Sequence, residues 1–334
     1  ESYIQHRVVI QPHYTKGKLG SSFRGSSENR SQLKNCLQWS LHVKEHTIKL
    51  TGPLIDTRKK VYELEMFGPW KVQCEPGCWD IELEPEKDQT PTKSGSIERR
   101  DTLCAKELFK SDLMAITRRL PKHARELLYN STTFWINKSF RHGHVSDPVV
   151  ETGACFHPEK EWLQSRRFYS RKLHGVEFYD SSRWYHEDRR LWGPGGVILH
   201  ELSHAWHCLH VPDGFDNKEI IECYNSAMKN KLYDCVPYHT LEKKGYSEAR
   251  AYACTNACEY FAELSVAFLS NVYEDDCDPC DEKSANAIRR GKSVDMDETK
   301  DIEFNKWFPF NKKQLEEFDP KAFRCLQRMW GVKS

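Results

Sequence analysis

Over residues 1–86 the chain alternates apolar and polar side chains in short runs: HRVVIQPHY, LQWSLHVKEHTIKL, KVYELEMFGPWKVQC and CWDIELEPE, with Gly and Pro between them. A period of two is that of a half-buried strand, so this stretch predicts an N-terminal, mainly antiparallel β domain. Residues 87–102 are polar, free of aromatics and without period, as in a linker. From about residue 103 the period lengthens. In CAKELFKSDLMAITRRLP, Leu108, Leu113, Ile116 and Leu120 recur at helical intervals. Pro121 stops that helix or opens the next, KHARELLYN. TTFWINKSF then alternates like a strand, and GVEFYD reads as an edge strand before the Pro194-Gly195-Gly196 turn. NKEIIECYNSAMKNKLYD predicts a connecting helix, and SEARAYACTNACEYFAELSVAFLS, residues 247–270, one long helix. Residues 271–303 are charged and poor in large apolar groups, as in a surface insertion, and a terminal amphipathic helix is expected within FNKKQLEEFDPKAFRCLQRMWG. These elements predict an α+β fold with a second domain over residues 103–334.

Composition narrows this picture. Fifty Lys and Arg face 49 Asp and Glu, which gives no global attraction to nucleic acid or an anionic membrane. No apolar run approaches the roughly 20 residues that span a bilayer. Aromatics at 12% favour a packed globule over disorder. Thirteen cysteines, sequons at Asn29, Asn130 and Asn137, and a first residue Glu1 that is not Met predict a secreted, disulfide-bearing glycoprotein. The alternative is a cytoplasmic protein with scattered buried thiols. Nothing in the sequence speaks to oligomeric state.

The candidate chemistry sits in GVILHELSHAWHCLH, with histidines at 200, 204, 207 and 210. On a helix His200 and His204 share a face, one turn apart, and Glu201 lies beside them, within reach of a metal-bound water. This is the zincin spacing H-E-x-x-H. The third ligand has two candidates. His210 follows at the metzincin distance, but that arrangement needs a helix-breaking Gly where His207 stands. The better candidate is a carboxylate of the 247–270 segment, where Tyr252, Glu259, Glu263 and Val266 share one stripe. Carboxylates among Ala, Phe, Tyr and Leu are costly to bury unless paired or metal-bound.

VILHELSHAWH and AYACTNACEYFAE resemble the gluzincin domain of anthrax toxin lethal factor and its relatives. RRLPKHARELL, GACFHPEKEWL, GFDNKEI and FPFNKKQLEEFDPKAFRCLQRMWG are similar in the same order. The resemblance covers residues 103–334 apart from 271–303. It implies a zincin-like metalloprotease fold, one Zn2+ ion and a protein or peptide substrate. By position it makes His200, His204 and Glu259 the metal ligands, Glu201 the catalytic acid/base and Tyr252 the active-site tyrosine. Glu263 matches a carboxylate that braces a ligand histidine. Cys254 and Cys258 depart from the family, which often has small or polar residues there. The expected activity is that of a zinc-dependent metalloendopeptidase, with an extended substrate on GVEFYD by main-chain pairing. A zinc hydrolase of non-peptide amides or esters, or a catalytically silent zincin-fold binding protein, would carry the same motif.

Overall fold

The hairpin predicted within KVYELEMFGPWKVQC forms as β1 (Glu63–Phe67) and β2 (Trp70–Cys74), joined through Gly68 at φ +59°. The computed structural model describes residues 53–81, 104–241, 246–270 and 305–332. All belong to one of the two units into which the chain divides, Gly52–Ser334. The strands expected before residue 51, the linker 87–102 and the insertion 271–303 lie outside the described residues. Residues 78–81, expected to begin a strand, form a turn.

Two helices follow: α1 (Ala105–Arg119) and α2 (Lys122–Ser131), with Pro121 opening the second. Leu113, Ile116 and Leu120 are buried as the helical spacing predicts, with Leu108 packed beside them. Next come β3 (Phe134–Ile136), the hairpin β4 (Phe140–His144) and β5 (Asp147–Glu151), β6 (Ala154–Phe156), α3 (Lys160–Ser165) and β7 (Val176–Phe178). The main sheet has the order β1-β2-β3-β7-β6. Its β2–β3 and β3–β7 pairs are parallel, and its β1–β2 and β7–β6 pairs antiparallel. The chain is thus a mixed α/β protein.

Two expectations change here. β1 and β2, assigned from sequence to a separate domain ending at residue 86, belong to the sheet that contains β3 and β7. The cause is the burial of β3: Phe134, Trp135 and Ile136 are all covered. A strand with no solvent must pair its main-chain groups on both sides, and β2 and β7 are its neighbours. Second, β7 is not an edge strand, because it pairs with β3 on one side and β6 on the other. Its Glu177 is fully buried but neutralised. Lys172 pairs with Oε1, Asn137 donates to Oε1 at 2.7 Å, and His157 lies 2.8 Å from Oε2. Burial opposes the charge, yet Lys172 and His157 hold the carboxyl down to about 2. Asn137 itself is fully buried, so this sequon is closed to a glycan in the folded chain, whereas Asn130 on α2 is exposed.

The short helical turns Ser181–Arg183, Trp184–Asp188 (π) and Arg189–Trp192 lead into α4 (Gly196–His210). Arg189 forks onto buried Asp112 of α1 at 2.8 and 3.1 Å. Gly195 sits at φ +83°, and a Cβ there would fall 2.6 Å from Ile116 Cγ1. Only Gly allows α4 to start this close to α1.

α5 (Lys218–Lys229) is followed by the hairpin β8 (Val236–His239) and β9 (Tyr246–Ala249) and then by α6 (Ala257–Phe268). The single helix expected over 247–270 is therefore a strand, a tight turn at Tyr252–Cys254 and a shorter helix. Asn256 makes the break. Its backbone is extended and its side chain accepts from the N–H groups of Cys258 and Glu259, an N-cap.

Two C-terminal helices, α7 (Lys312–Phe318) and α8 (Pro320–Met329), close the described fold. Asp319 between them caps α8 and accepts hydroxyl hydrogen bonds from Tyr233 (3.1 Å) and Tyr260 (2.7 Å). Trp330 is fully buried and stacks on Trp206 of α4, with ring centroids 5.2 Å apart. No described helix is long and apolar enough to cross a membrane.

Candidate metal centre

α4 opens on the apolar run Gly196–Leu199 and is buried from Gly196 to His207. Two imidazoles, His200 and His204, emerge from it on the side facing α6. Across from them Glu259 occupies the first turn of α6, placed there by the Asn256 cap. Three donor atoms converge. His200 Nε2 and His204 Nε2 are 3.1 Å apart, and Glu259 Oε2 lies 3.2 and 3.1 Å from them. All three residues are at least nine-tenths covered.

The triangle can be tested against an ion. Zinc bonds of about 2.0–2.1 Å in tetrahedral geometry place neighbouring ligand atoms about 3.3 Å apart. The observed edges are within a few tenths of that length. Among the described residues this is the one group of three or more His, Cys, Asp or Glu whose ligand atoms cluster tightly enough to hold a metal. The donor set, two imidazoles and a carboxylate, suits zinc.

The electrostatics agree with a cation-binding cluster. Burial opposes the Glu259 charge, but His204 and His200 hold its carboxyl well below the usual carboxylate range. Burial alone would lower the His204 pKa, yet Glu259 carries it above the ordinary value. Behind His200, Glu263 lies on α6 with its Oε1 3.7 Å from His200 Nδ1. Neither Glu263 oxygen nor His200 Nδ1 has a hydrogen-bond partner. Burial, with the Glu259 charge beside it, pushes the Glu263 carboxyl well up. A small shift of either side chain would close the pair into the carboxylate–histidine brace that orients metal-bound imidazoles. Glu263→Gln keeps the length and shape of the side chain, so the metal-free melting temperature should change little. It should weaken zinc binding by roughly 10–100-fold, measured by competition with a chromophoric chelator.

Glu201 points to the other side of His200, toward the sheet. Its Oε2 accepts the N–H of Phe156 on β6 at 2.8 Å. β6 is one edge strand of the main sheet, β1 the other, and Cys155 faces Glu177 across the β6–β7 pair. His157 donates its N–H to Gly175 and Tyr179 its N–H to Gly153, so by alternation the main-chain groups of Ala154 and Phe156 face away from β7. The open strand edge beside Glu201 is therefore β6, not β7. Tyr252 stands on the turn before α6, its hydroxyl 3.4 Å from Glu259 Oε1 and its ring centroid 6.3 Å from that of His200. It is about one-third exposed. Trp192 forms a wall, its ring centroid 5.1 Å from that of His200.

The other two histidines lie apart from the triangle. α4 continues unbroken to His210, which puts that residue about 15 Å beyond His200 along the axis. His210 there contacts Ser131 Oγ at 3.0 Å and Trp206. His207 is fully buried between Phe215 and Phe261. Burial, aided by the His204 charge, pushes its pKa down to about 3. The unfolded chain binds a proton here below pH 6.5 that the folded chain refuses. Stability is therefore lost as pH falls from about 6.5 to about 3, at about 1.4 kcal/mol per pH unit from this group. His207→Leu should flatten that slope relative to wild type, followed by denaturant melts in chelator across the window.

Phe156 and Trp192 were not singled out by sequence reading. The only local sign of Phe156 is that GACFH is a short apolar run before Pro158. Its role depends on strand order, which no local pattern carries. Comparisons with protein-family models, curated proteins and solved structures found no match.

Proposed function

We propose that the chain is a zinc-dependent metalloendopeptidase with a zincin-like domain, in which His200, His204 and Glu259 hold one Zn2+. The observation that carries this reading is the triangle of ligand atoms, 3.1–3.2 Å on each edge, drawn from two separate helices. Bound in such a site, zinc lowers the pKa of a water toward neutrality and polarises a substrate carbonyl.

The chain's own groups would supply the rest. Glu201 takes a proton from the attacking water and returns it to the leaving amine. The Phe156 N–H fixes Glu201 Oε2 and leaves Oε1 for that transfer. Tyr252, one-third exposed and beside Glu259, supplies a hydroxyl donor for the developing oxyanion. An extended substrate pairs with the outward main-chain groups of Ala154 on β6, replacing the expectation that it lies on β7. A peptide is favoured over a small amide or ester because an edge strand, which can bind main chain, lies beside Glu201.

Zinc content by mass spectrometry, together with digestion of a peptide library by the full chain, tests the reading. About one zinc per chain is expected, with cleavage that a chelator abolishes and added zinc restores. A protein that takes up no zinc sinks the proposal. One that takes up zinc and cuts no peptide leaves the silent or non-peptide alternatives.

A further inference from the structure

α5 and α8 come from distant parts of the chain, yet they lie side by side in matched register. Arg328 pairs with Glu219 through Nε at 2.8 Å, and Lys321 Nζ donates to the Glu222 carbonyl at 3.3 Å. Between these contacts Cys223 faces Cys325. Cys223 Sγ lies 3.9 Å from the Lys321 carbonyl, one turn before Cys325 on α8, so the two cysteines share the seam between the helices. Both cysteines are buried to about 3% exposure, both are free thiols, and neither belongs to the metal triangle.

We propose that Cys223 and Cys325 are a disulfide site that staples the C-terminal helix α8 to α5. The paired helices already bring the two side chains to one seam, so closing the bond requires little further ordering of the chain. A low-molecular-weight disulfide such as oxidised glutathione is the oxidant. While α8 is still clear of α5, the thiolate of Cys223 attacks one of its sulfurs and releases the first glutathione thiol. Cys325 then attacks the mixed disulfide at the Cys223 sulfur and releases the second. Two protein thiols and one glutathione disulfide become one protein disulfide and two glutathione thiols.

The bond would close a loop of about a hundred residues, which includes α6 and its Glu259. Cross-links over loops of that length constrain the unfolded chain most. α8 leads directly to Trp330, which stacks on Trp206 of α4 and donates to Ser265 of α6. The staple would therefore fasten the layer that backs both ligand-bearing helices.

Peptide mapping tests this on the full chain, made by secretory expression and purified without reductant. Free thiols are alkylated in denaturant before digestion. The expected product is a Cys223 peptide linked to a Cys325 peptide, about 2 Da below the sum of the two, with neither cysteine alkylated. Reductant should lower the melting temperature of the wild type by roughly 5–15 °C, and lower that of Cys325→Ser by much less. Alkyl label on both Cys223 and Cys325, or either one linked to a different cysteine, overturns the proposal. Should the serine variant fail to fold, the wild-type map decides alone.

Discussion

Glu201→Gln is expected to reduce peptide cleavage by roughly 10²–10⁴-fold while zinc content stays at the wild-type level. Glutamine keeps the length and shape of the side chain, and its carbonyl oxygen can still accept the Phe156 N–H, so α4 and the β6 edge should stay in place. What it loses is the capacity to take a proton from water and return it to an amine. Glu201 is not a corner of the ligand triangle, so the metal is untouched by the exchange. The pair of measurements is kcat/KM on a cleaved peptide and zinc per chain on the same sample. A variant that cuts at the wild-type rate would remove Glu201 from the proposed mechanism. The same experiment separates this residue from Glu259, whose loss should take zinc and activity together.

Trp330→Ala should cost roughly 3–5 kcal/mol of stability, the usual range for deleting a fully buried large aromatic. In a unit of this size that lowers the melting temperature by about 10 °C. The indole does three things that alanine cannot. It stacks on Trp206 at an interplanar angle of 9°, it lies nearly parallel to Phe261 with centroids 6.1 Å apart, and its Nε1 donates to Ser265 Oγ at 2.9 Å. Trp206 in turn donates to the Met329 carbonyl at 3.0 Å. Alanine leaves a cavity between α4 and α6 and deprives the Ser265 hydroxyl of its partner. Trp330→Phe, which refills much of the volume and loses the hydrogen bond, should cost about 1 kcal/mol. Thermal melts of both variants check the order. Equal melting temperatures for wild type and Trp330→Ala would mean that the stack does not hold the helices together.

Much of the architecture was legible in periodicity. The helices α1, α2, α4 and α5 lie where apolar spacing put them, and the β1–β2 hairpin forms around its Gly-Pro turn. The ligand face of α4 was legible because His200 and His204 are one turn apart, a relation that local geometry fixes. What was misread depended on partners far away in sequence. β7 read as an edge strand, and its Glu177 gives no local sign otherwise, since a carboxylate in a strand ordinarily faces water. Its neutralising groups, Lys172, His157 and Asn137, become neighbours only once the sheet has formed. The 247–270 stretch looked like one helix because it holds no Pro, and no Gly after Gly245. The break is a cap, and Asn256 three residues before Glu259 is a sequence pattern that announces one. That Glu259 meets the histidines was inferred from a stripe and a resemblance. The 3.1–3.2 Å edges are a tertiary fact that spacing alone does not contain.

The sheet order also bears on how the protein can be divided. A fragment beginning near residue 103 would retain His200, Glu201, His204, Tyr252, Glu259 and Glu263, yet it would be stripped of β1 and β2. The flank of β3 that pairs with β2 would then present bare main-chain donors and acceptors. Thr117 Oγ1 would lose the Trp70 indole that donates to it at 2.8 Å, and Phe134 would lose the edge contact of that ring. An unprotected strand margin next to a newly wetted apolar face is a template for self-association. The minimal autonomous piece therefore has to reach back to the residues before Glu63, however far they stand from the chemistry.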